Sequence, residues 1–373
     1  MGTVLSNLGR DWAGASLNPL TQALETRRQE GRGWLDLVTA NPHEHDLEFP
    51  SDLVGDILGR VAGKARIYRP DPLGQRPARQ AVADYYGRQG FSIDPDEIIL
   101  TPGTSLAYLY LFKVLLNPRD EVLVPWPGYP LFEDIARLAD IRIRYYYLRP
   151  GWSLDLEDLA FQCTPRTRML VVVSPHNPLG LVVPDWSGVT AICRAHDLSL
   201  VVDEVFCEFM VRGSYVRPPR VERLFILNGL SKMLSLPGVK LGWILGTSGL
   251  GALEYVSDVF LPVSEWVQAA APEILEAGVH VARRLAQEYR IRRRVLERHL
   301  PVLPADAGVY ACLPLPEGVD EDEFVLTALD KADVLVHPGH FYHLPQHVVM
   351  TCVARCEMLE EGALRLARLL PGS

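Results

Sequence analysis

"RMLVVVSPHNPLGLVVPDWSGVTAICRAHDLSLVVDE", residues 168–204, holds the fold in miniature. Its two ends, "RMLVVVS" and "LSLVVDE", are short valine- and leucine-rich runs without polar alternation, as in strands buried on both faces. Between them "DWSGVTAICRAH" repeats its apolar residues at helical spacing. A strand, a crossover helix and a second strand make a unit of parallel sheet. The alternation runs outward in both directions. Upstream, "DEIILT", "DEVLVPW" and "IRIRYYYL" read as strands, and "SLAYLYLFKVLL", "YPLFEDIARLA" and "DLEDLAFQC" as helices. Downstream come "RLFILNG" and "KLGWILG", then a helical stretch over 251–300. Beyond Pro301 the pattern becomes a compact α+β tail, "GVYACLPL", "DEDEFVLTALDKA", "VLVHPG", "HVVMTCV" and "EMLEEGALRLARLL". The expectation is an α/β protein whose large domain has a mostly parallel central sheet, with a smaller α+β domain beside it. The boundaries fall at 1–45 for the N-terminal arm, which joins the small domain, 46–279 for the large domain and 280–373 for the C-terminal part.

Two subdomains suit the length, since 373 residues exceed the roughly 250–300 at which one core stops growing. A net charge of −9 argues against a nucleic-acid or anionic-membrane footprint. Six cysteines (163, 193, 207, 312, 352 and 356) form no CxxC pair, which points to reduced thiols and a cytoplasmic setting. No secretory leader and no membrane span are expected.

The strand ends carry the chemistry. In open α/β sheets ligands sit beyond the carboxyl ends of the strands. "IILTPGTSLAY" puts Gly103, Thr104 and Ser105 at a strand-to-helix junction, where free N–H groups and the helix dipole favour a phosphate. "VVVSPHNPLG" brings Asn177 to a strand end, "LVVDEVF" brings Asp203, and "VPWPGYPLF" offers the aromatic Tyr129. Each alone is ordinary turn chemistry. Lysine is the sharper signal. The chain has only five, and two of them, Lys232 and Lys240, stand in "NGLSKMLSLPGVKLGW". A lysine among Leu230, Ser231, Met233 and Leu234 would be partly desolvated, with a depressed pKa and a nucleophilic amine, and Lys240 nearby would depress it further. Together these residues describe a pyridoxal-phosphate site: an imine-forming amine, an acid for the ring nitrogen, an amide for the ring oxygen, an aromatic cover and a phosphate cradle.

At this point the sequence resembles the fold-type-I pyridoxal-phosphate-dependent aminotransferases of class I/II. The likeness runs from "LDLVTANP" through "YRPDPLGQRPARQAVADYY", "TPGTS", "PGYPLF", "SPHNPLG", "VVDEVF", "LSKMLSLPGVKLGW" and "VLVHPGHFY" to "EMLEEGALRL". It implies the PLP-transferase fold of type I and transfer of an amino group between an amino donor and a 2-oxo acid. Lys232 would form the Schiff base and shuttle the proton, Asp203 would pair with the ring nitrogen, Asn177 would bond the ring oxygen and Tyr129 would stack on the ring. Gly103, Thr104, Ser105, Ser231 and Lys240 would surround the phosphate, and Tyr68 would reach the cofactor of a partner subunit in a homodimer with active sites at the interface. The same amine and electron sink would also serve a lyase or cyclase, or sit idle in a non-catalytic binding protein.

Four positions depart from the family pattern. Lys240 replaces the usual arginine and loses its bidentate fork. Gly229 removes a serine hydroxyl, and Phe206 removes a tyrosine that commonly bonds the ring oxygen. Val349 falls where an arginine grips the substrate carboxylate, and Ala40 where a glycine often helps. Arg355 is the nearest substitute in sequence and reads as an exposed loop residue.

Other patterns have plainer accounts. His337, His340, His343 and His347 cluster in "HPGHFYHLPQH", but no nearby cysteine or carboxylate completes a metal set, so a substrate-contacting or pH-sensitive loop is the reading. "HEH" at 43–45 reads as a loop beside the site mouth. The arginine-rich segment 283–298 reads as the solvated face of an amphipathic helix.

Overall fold

The computed structural model describes residues 4–370 apart from 15, 40, 150 and 262; the expectation for Ala40 therefore lies outside the described residues. Thirteen strands form among the described residues: β1 Leu35–Asp36, β2 Ile98–Thr101, β3 Glu121–Trp126, β4 Arg142–Arg149, β5 Ser153–Leu154, β6 Thr167–Val173 and β7 Ser199–Asp203, followed by β8 Leu224–Gly229, β9 Gly242–Gly246, β10 Tyr310–Pro314, β11 Val334–Leu335, β12 His337–Pro338 and β13 His347–Thr351.

Eight of them build one sheet in the order β2-β9-β8-β7-β6-β3-β4-β5. The run from β8 to β4 is parallel, while β9 is antiparallel to both its neighbours and β5 is antiparallel to β4. The apolar runs are unbroken because both faces are covered. Leu170 and Val172 of β6 point into one core with Leu200 and Val202 of β7, and Met169, Val171 and Val201 point into the other. The second core lies under the Thr104–Leu115 and Phe132–Ala139 helices, whose Ala107, Leu111, Ile135 and Ala136 are buried in it.

The segment expected to be helical over 251–300 divides into Leu250–Phe260 and Glu265–His299. Residue 279, the expected large-domain boundary, lies inside the second helix, which packs against the Ser51–Ala65, Arg76–Gly87 and Cys356–Ala367 helices. Its arginines are not all solvated. Arg292 and Arg293 are buried, the first donating to the carbonyls of Val353, Ala354 and His45 and the second to those of Tyr310 and Leu303. A buried guanidinium is tolerated here because carbonyl oxygens answer it, so the purely solvated reading of 283–298 is corrected.

The arm and the tail meet. β1 pairs in parallel with β11, Leu35 opposite Val334, and Arg27 binds Asp333. A three-stranded antiparallel sheet, β10-β13-β12, stands next to this pair. "HEH" forms part of a short Pro42–His45 helical turn with His45 buried, where a loop was expected.

Candidate active site

The carboxyl ends of β2, β3, β6, β7 and β8 lie along one edge of the large sheet, and the polar residues that follow them converge. A cavity of about 130 Å³ is lined there by Gly103, Thr104, Tyr129, Asn177, Asp203, Ser231 and Lys232. Val173, Val205, Phe206, Gly229 and Tyr310 complete it. Seven of the ten residues expected in the site thus share one space.

Each side chain arrives by local rules. β7 is buried up to its last residue, so Asp203 emerges at the rim with only 7% of its surface exposed. β8 runs straight into a single helical turn, Leu230–Met233, which buries Leu230 and Met233 and leaves Lys232 half-buried toward the cavity. Gly103 caps the Thr104–Leu115 helix with φ +128°, a backbone setting that a side chain rarely adopts. The Lys240 Nζ lies 3.7 Å from the place a Cβ would take. The junction therefore presents uncapped N–H groups, an open glycine and an ammonium, which suits a phosphate.

Burial lowers the pKa of Lys232, favouring the neutral amine. Lys240 does not add to this effect, contrary to expectation, because its exposed ammonium sits by Gly103 instead. Asp203 moves the other way, pushed up to about 6 mainly by burial. Two donors oppose the rise: the Tyr108 hydroxyl donates to Oδ2 at 2.8 Å and the Val205 N–H to Oδ1 at 3.1 Å. An acid so poised gains by facing a cation.

Asn177 shares the cavity wall with Tyr310, and its buried Oδ1 has no hydrogen-bond partner among the described residues. An orphaned amide atom in a cavity marks a group built to bind something else. Amine, acid, amide and phosphate cradle fit pyridoxal phosphate in donor chemistry.

Three expected residues lie outside the lining. Ser105 follows Thr104 in the first turn of the Thr104–Leu115 helix. Lys240 holds its Nζ beside Gly103. Tyr68 is 69% exposed and borders a separate cavity of about 230 Å³ with Asp71, Ser257 and Gln268. Gly229 has a packing reason, since a Cβ there would stand 2.9 Å from both the Leu241 carbonyl oxygen and the Gly242 Cα. Val349 is buried with Leu179, Cys312, Tyr342 and Leu344. Arg355 is exposed and paired with Asp46 at 2.7 Å, away from the cavity lining. Among the described residues no three His, Cys, Asp or Glu side chains stand together as a metal site.

Sequence reasoning missed Tyr108 and Tyr310. Tyr108 follows Thr104 by four positions on the same helix face, a signal that was available. Tyr310 reaches the cavity only through the packing of β10, and nothing local announces it.

A sheet of this order with such a cleft at its carboxyl edge defines the fold-type-I PLP-transferase class. Comparison with known proteins agrees. The aminotransferase class I and II family profile matches residues 60–366. Arginine–pyruvate transaminase of Pseudomonas aeruginosa is 30% identical over 364 residues, 91% of each chain, and aspartate/prephenate aminotransferase of Thermus thermophilus is 29% identical over 94% of each. The solved Thermus thermophilus aspartate aminotransferase with maleate superposes with a TM-score of 0.88 at 28% identity, covering 98% of this chain and all of that one. The chain belongs to the class I and II aminotransferase family and is an aminotransferase. These relatives carry transaminase names, which supports amino-group transfer over elimination or ring closure.

Proposed function

We propose that this cavity holds pyridoxal 5'-phosphate and that the protein exchanges an amino group between an amino donor and a 2-oxo acid, with Lys232 as the covalent and proton-moving residue. The observation that carries the reading is the meeting of Lys232, Asp203, Asn177 and the Gly103–Thr104 helix start in one cavity. When bound, the cofactor supplies an aldehyde that accepts the amino group and a ring that withdraws electrons from the substrate carbon.

The protein does the rest. Lys232, whose amine burial shifts toward the neutral form, would move the proton from the substrate α-carbon to the cofactor carbon that receives the amino group, and would move it the opposite way in the second half-reaction. Asp203, held by Tyr108 and Val205, keeps the ring nitrogen protonated. Asn177 bonds the ring oxygen, a task it takes over where Phe206 has no hydroxyl. Tyr129 covers the ring face. Gly103, Thr104, Ser105, Ser231 and Lys240 hold the phosphate, the lysine as a point charge.

The exposed Tyr68, with Ile67 and Phe260 also exposed, supports a homodimer in which Tyr68 completes the partner's phosphate site. Six free cysteines support a cytoplasmic setting, and among the described residues no helix is long and apolar enough to cross a membrane. Arginine with pyruvate, and aspartate with a 2-oxo acid, are the first pairs to assay, since the relatives' names give them.

Borohydride reduction followed by peptide mapping tests the central assignment. The label is expected on Lys232, and a label elsewhere refutes it. Given an amino donor alone, the enzyme should stop after one turnover and resume on addition of the 2-oxo acid; continuous turnover without the acid would mark a lyase.

A further inference from the structure

An amino acid and a 2-oxo acid each bring a carboxylate into the cavity, and a buried carboxylate needs a partner. The nearby cations are committed elsewhere. Lys232 carries the chemistry and Lys240 serves the phosphate junction at Gly103. Arg217 pairs with buried Glu204 at 3.1 Å. Arg293 gives its guanidinium to two carbonyls and Glu297, Arg292 to three carbonyls, and Arg355 to Asp46.

The small sheet offers another group. β12 and β13 pair antiparallel with His337 directly opposite Val349, and β10 sets Cys312 opposite Val349 on the other side, so all three side chains share a face. His337 Nδ1 lies 3.1 Å from the Tyr342 hydroxyl. The Tyr342 ring stands edge-on to Tyr310 with centroids 5.9 Å apart, and Tyr310 lines the cavity. Tyr342 thus stands between Tyr310 of the cavity wall and His337, packing its ring on the one and its hydroxyl on the other, over an apolar bed of Val349, Leu179 and Leu344.

We propose that His337, positioned by Tyr342 and reached past Tyr310, binds the substrate carboxylate as an imidazolium in place of an arginine. This assignment rests on the aminotransferase reading above. The groups around His337 are Tyr342 and Phe341 of the Gly339–Tyr342 turn, Val349 of β13, Tyr310 and Cys312 of β10 by way of Tyr342, and Asp36 of β1. Burial lowers the imidazole below its ordinary range and Asp36 opposes this. The free enzyme near pH 8 therefore holds a neutral imidazole that takes up a proton as the anion binds. Anion affinity must fall as pH rises, by up to about tenfold per pH unit.

The test uses PLP-loaded wild type, His337→Gln and Tyr342→Phe, with maleate as a non-reacting carboxylate probe. Its Kd is read by thermal shift from pH 6 to 9. The expected result is a Kd that weakens with pH in wild type, a Kd at least about tenfold weaker and a flatter slope in H337Q, and an intermediate loss in Y342F. In turnover with pyruvate, H337Q should raise KM for arginine and leave agmatine, its carboxylate-free counterpart, unchanged. An unchanged maleate Kd and slope in H337Q overturns the proposal, as does a wild type that binds no maleate at any pH. If H337Q does not fold, Y342F and the wild-type slope decide. A wild type that binds maleate with the expected slope yet transfers no amino group would refute the aminotransferase reading and leave His337 as an anion site.

Discussion

The wall of the cavity made by the large sheet takes each side chain from a strand end of its own, whereas the small sheet contributes Tyr310 to the wall and stands Tyr342 and His337 behind it, from three segments that meet only in the folded chain. On the first wall the backbone does much of the aiming, since a buried strand that ends on Asp203 or turns into Leu230–Met233 leaves its terminal side chain one direction to take. On the second, recognition depends on register: a shift of one residue in the β12–β13 pairing would turn His337 to the other face. Chemistry coded at strand ends should tolerate little change in residue type. Specificity coded in register should drift more freely, as Val349 illustrates.

This contrast can be broken in several ways. Lys232→Ala carries the largest expected effect, a fall in kcat on the order of 10⁴-fold. Retention of a borohydride-reducible link at another residue would show that the first wall is not organised as described. Asp203→Asn comes next, with a loss of about 10²–10³-fold from the weakened electron sink.

The same Asp203 substitution has a signature in the cofactor-free protein. The folded pKa of about 6 exceeds the ordinary 3.8, so the folded state holds the proton more tightly than the unfolded one. Stability contributed by that proton is complete below about pH 4 and is lost as pH rises through 6, a difference on the order of 3 kcal/mol. Apo D203N should therefore melt above apo wild type at pH 8 and lose that advantage near pH 4. Parallel melting curves at both pH values would remove the buried carboxylate without a cation partner from the account.

Tyr108→Phe deletes one donor to Asp203 and should weaken apparent PLP affinity by about tenfold, read by fluorescence titration. Arg355→Ala should do least. Its pair with Asp46 is solvent-exposed, so stability should change by less than about 1 kcal/mol and the KM for amino acids should not move. A large KM effect would transfer the carboxylate from the small-sheet wall to the loop before the last helix.

The sequence was readable wherever the function is local. "TPGTS" names its own phosphate junction because glycine before a helix start leaves N–H groups free, and "VVDEVF" announces a shielded acid because the strand before it is apolar throughout. Lys232 stood out because lysine is scarce in the chain and its neighbours are apolar. Arg292 and Arg293 misled, since helical spacing gives the face an arginine occupies but not the carbonyls waiting on the neighbouring segment. The shared depression of Lys232 by Lys240 failed for a similar reason: eight residues of separation say nothing about where a loop sends an exposed ammonium. The histidine cluster was visible but not its meaning, because His337, His340, His343 and His347 diverge to Tyr342, Glu321, Trp126 and the Pro345 carbonyl.

Short-range physics, then, is what the chain spells out: which strands are covered on both faces, which of them end in a polar residue, and where a helix begins without a cap. Only the tertiary structure joins Tyr108 to Asp203, sets Asn177 against Tyr310 and lays His337 across from Val349. Those contacts arise from packing and strand register, which bring together residues as much as 133 positions apart, and no local pattern of side chains encodes a distance of that kind.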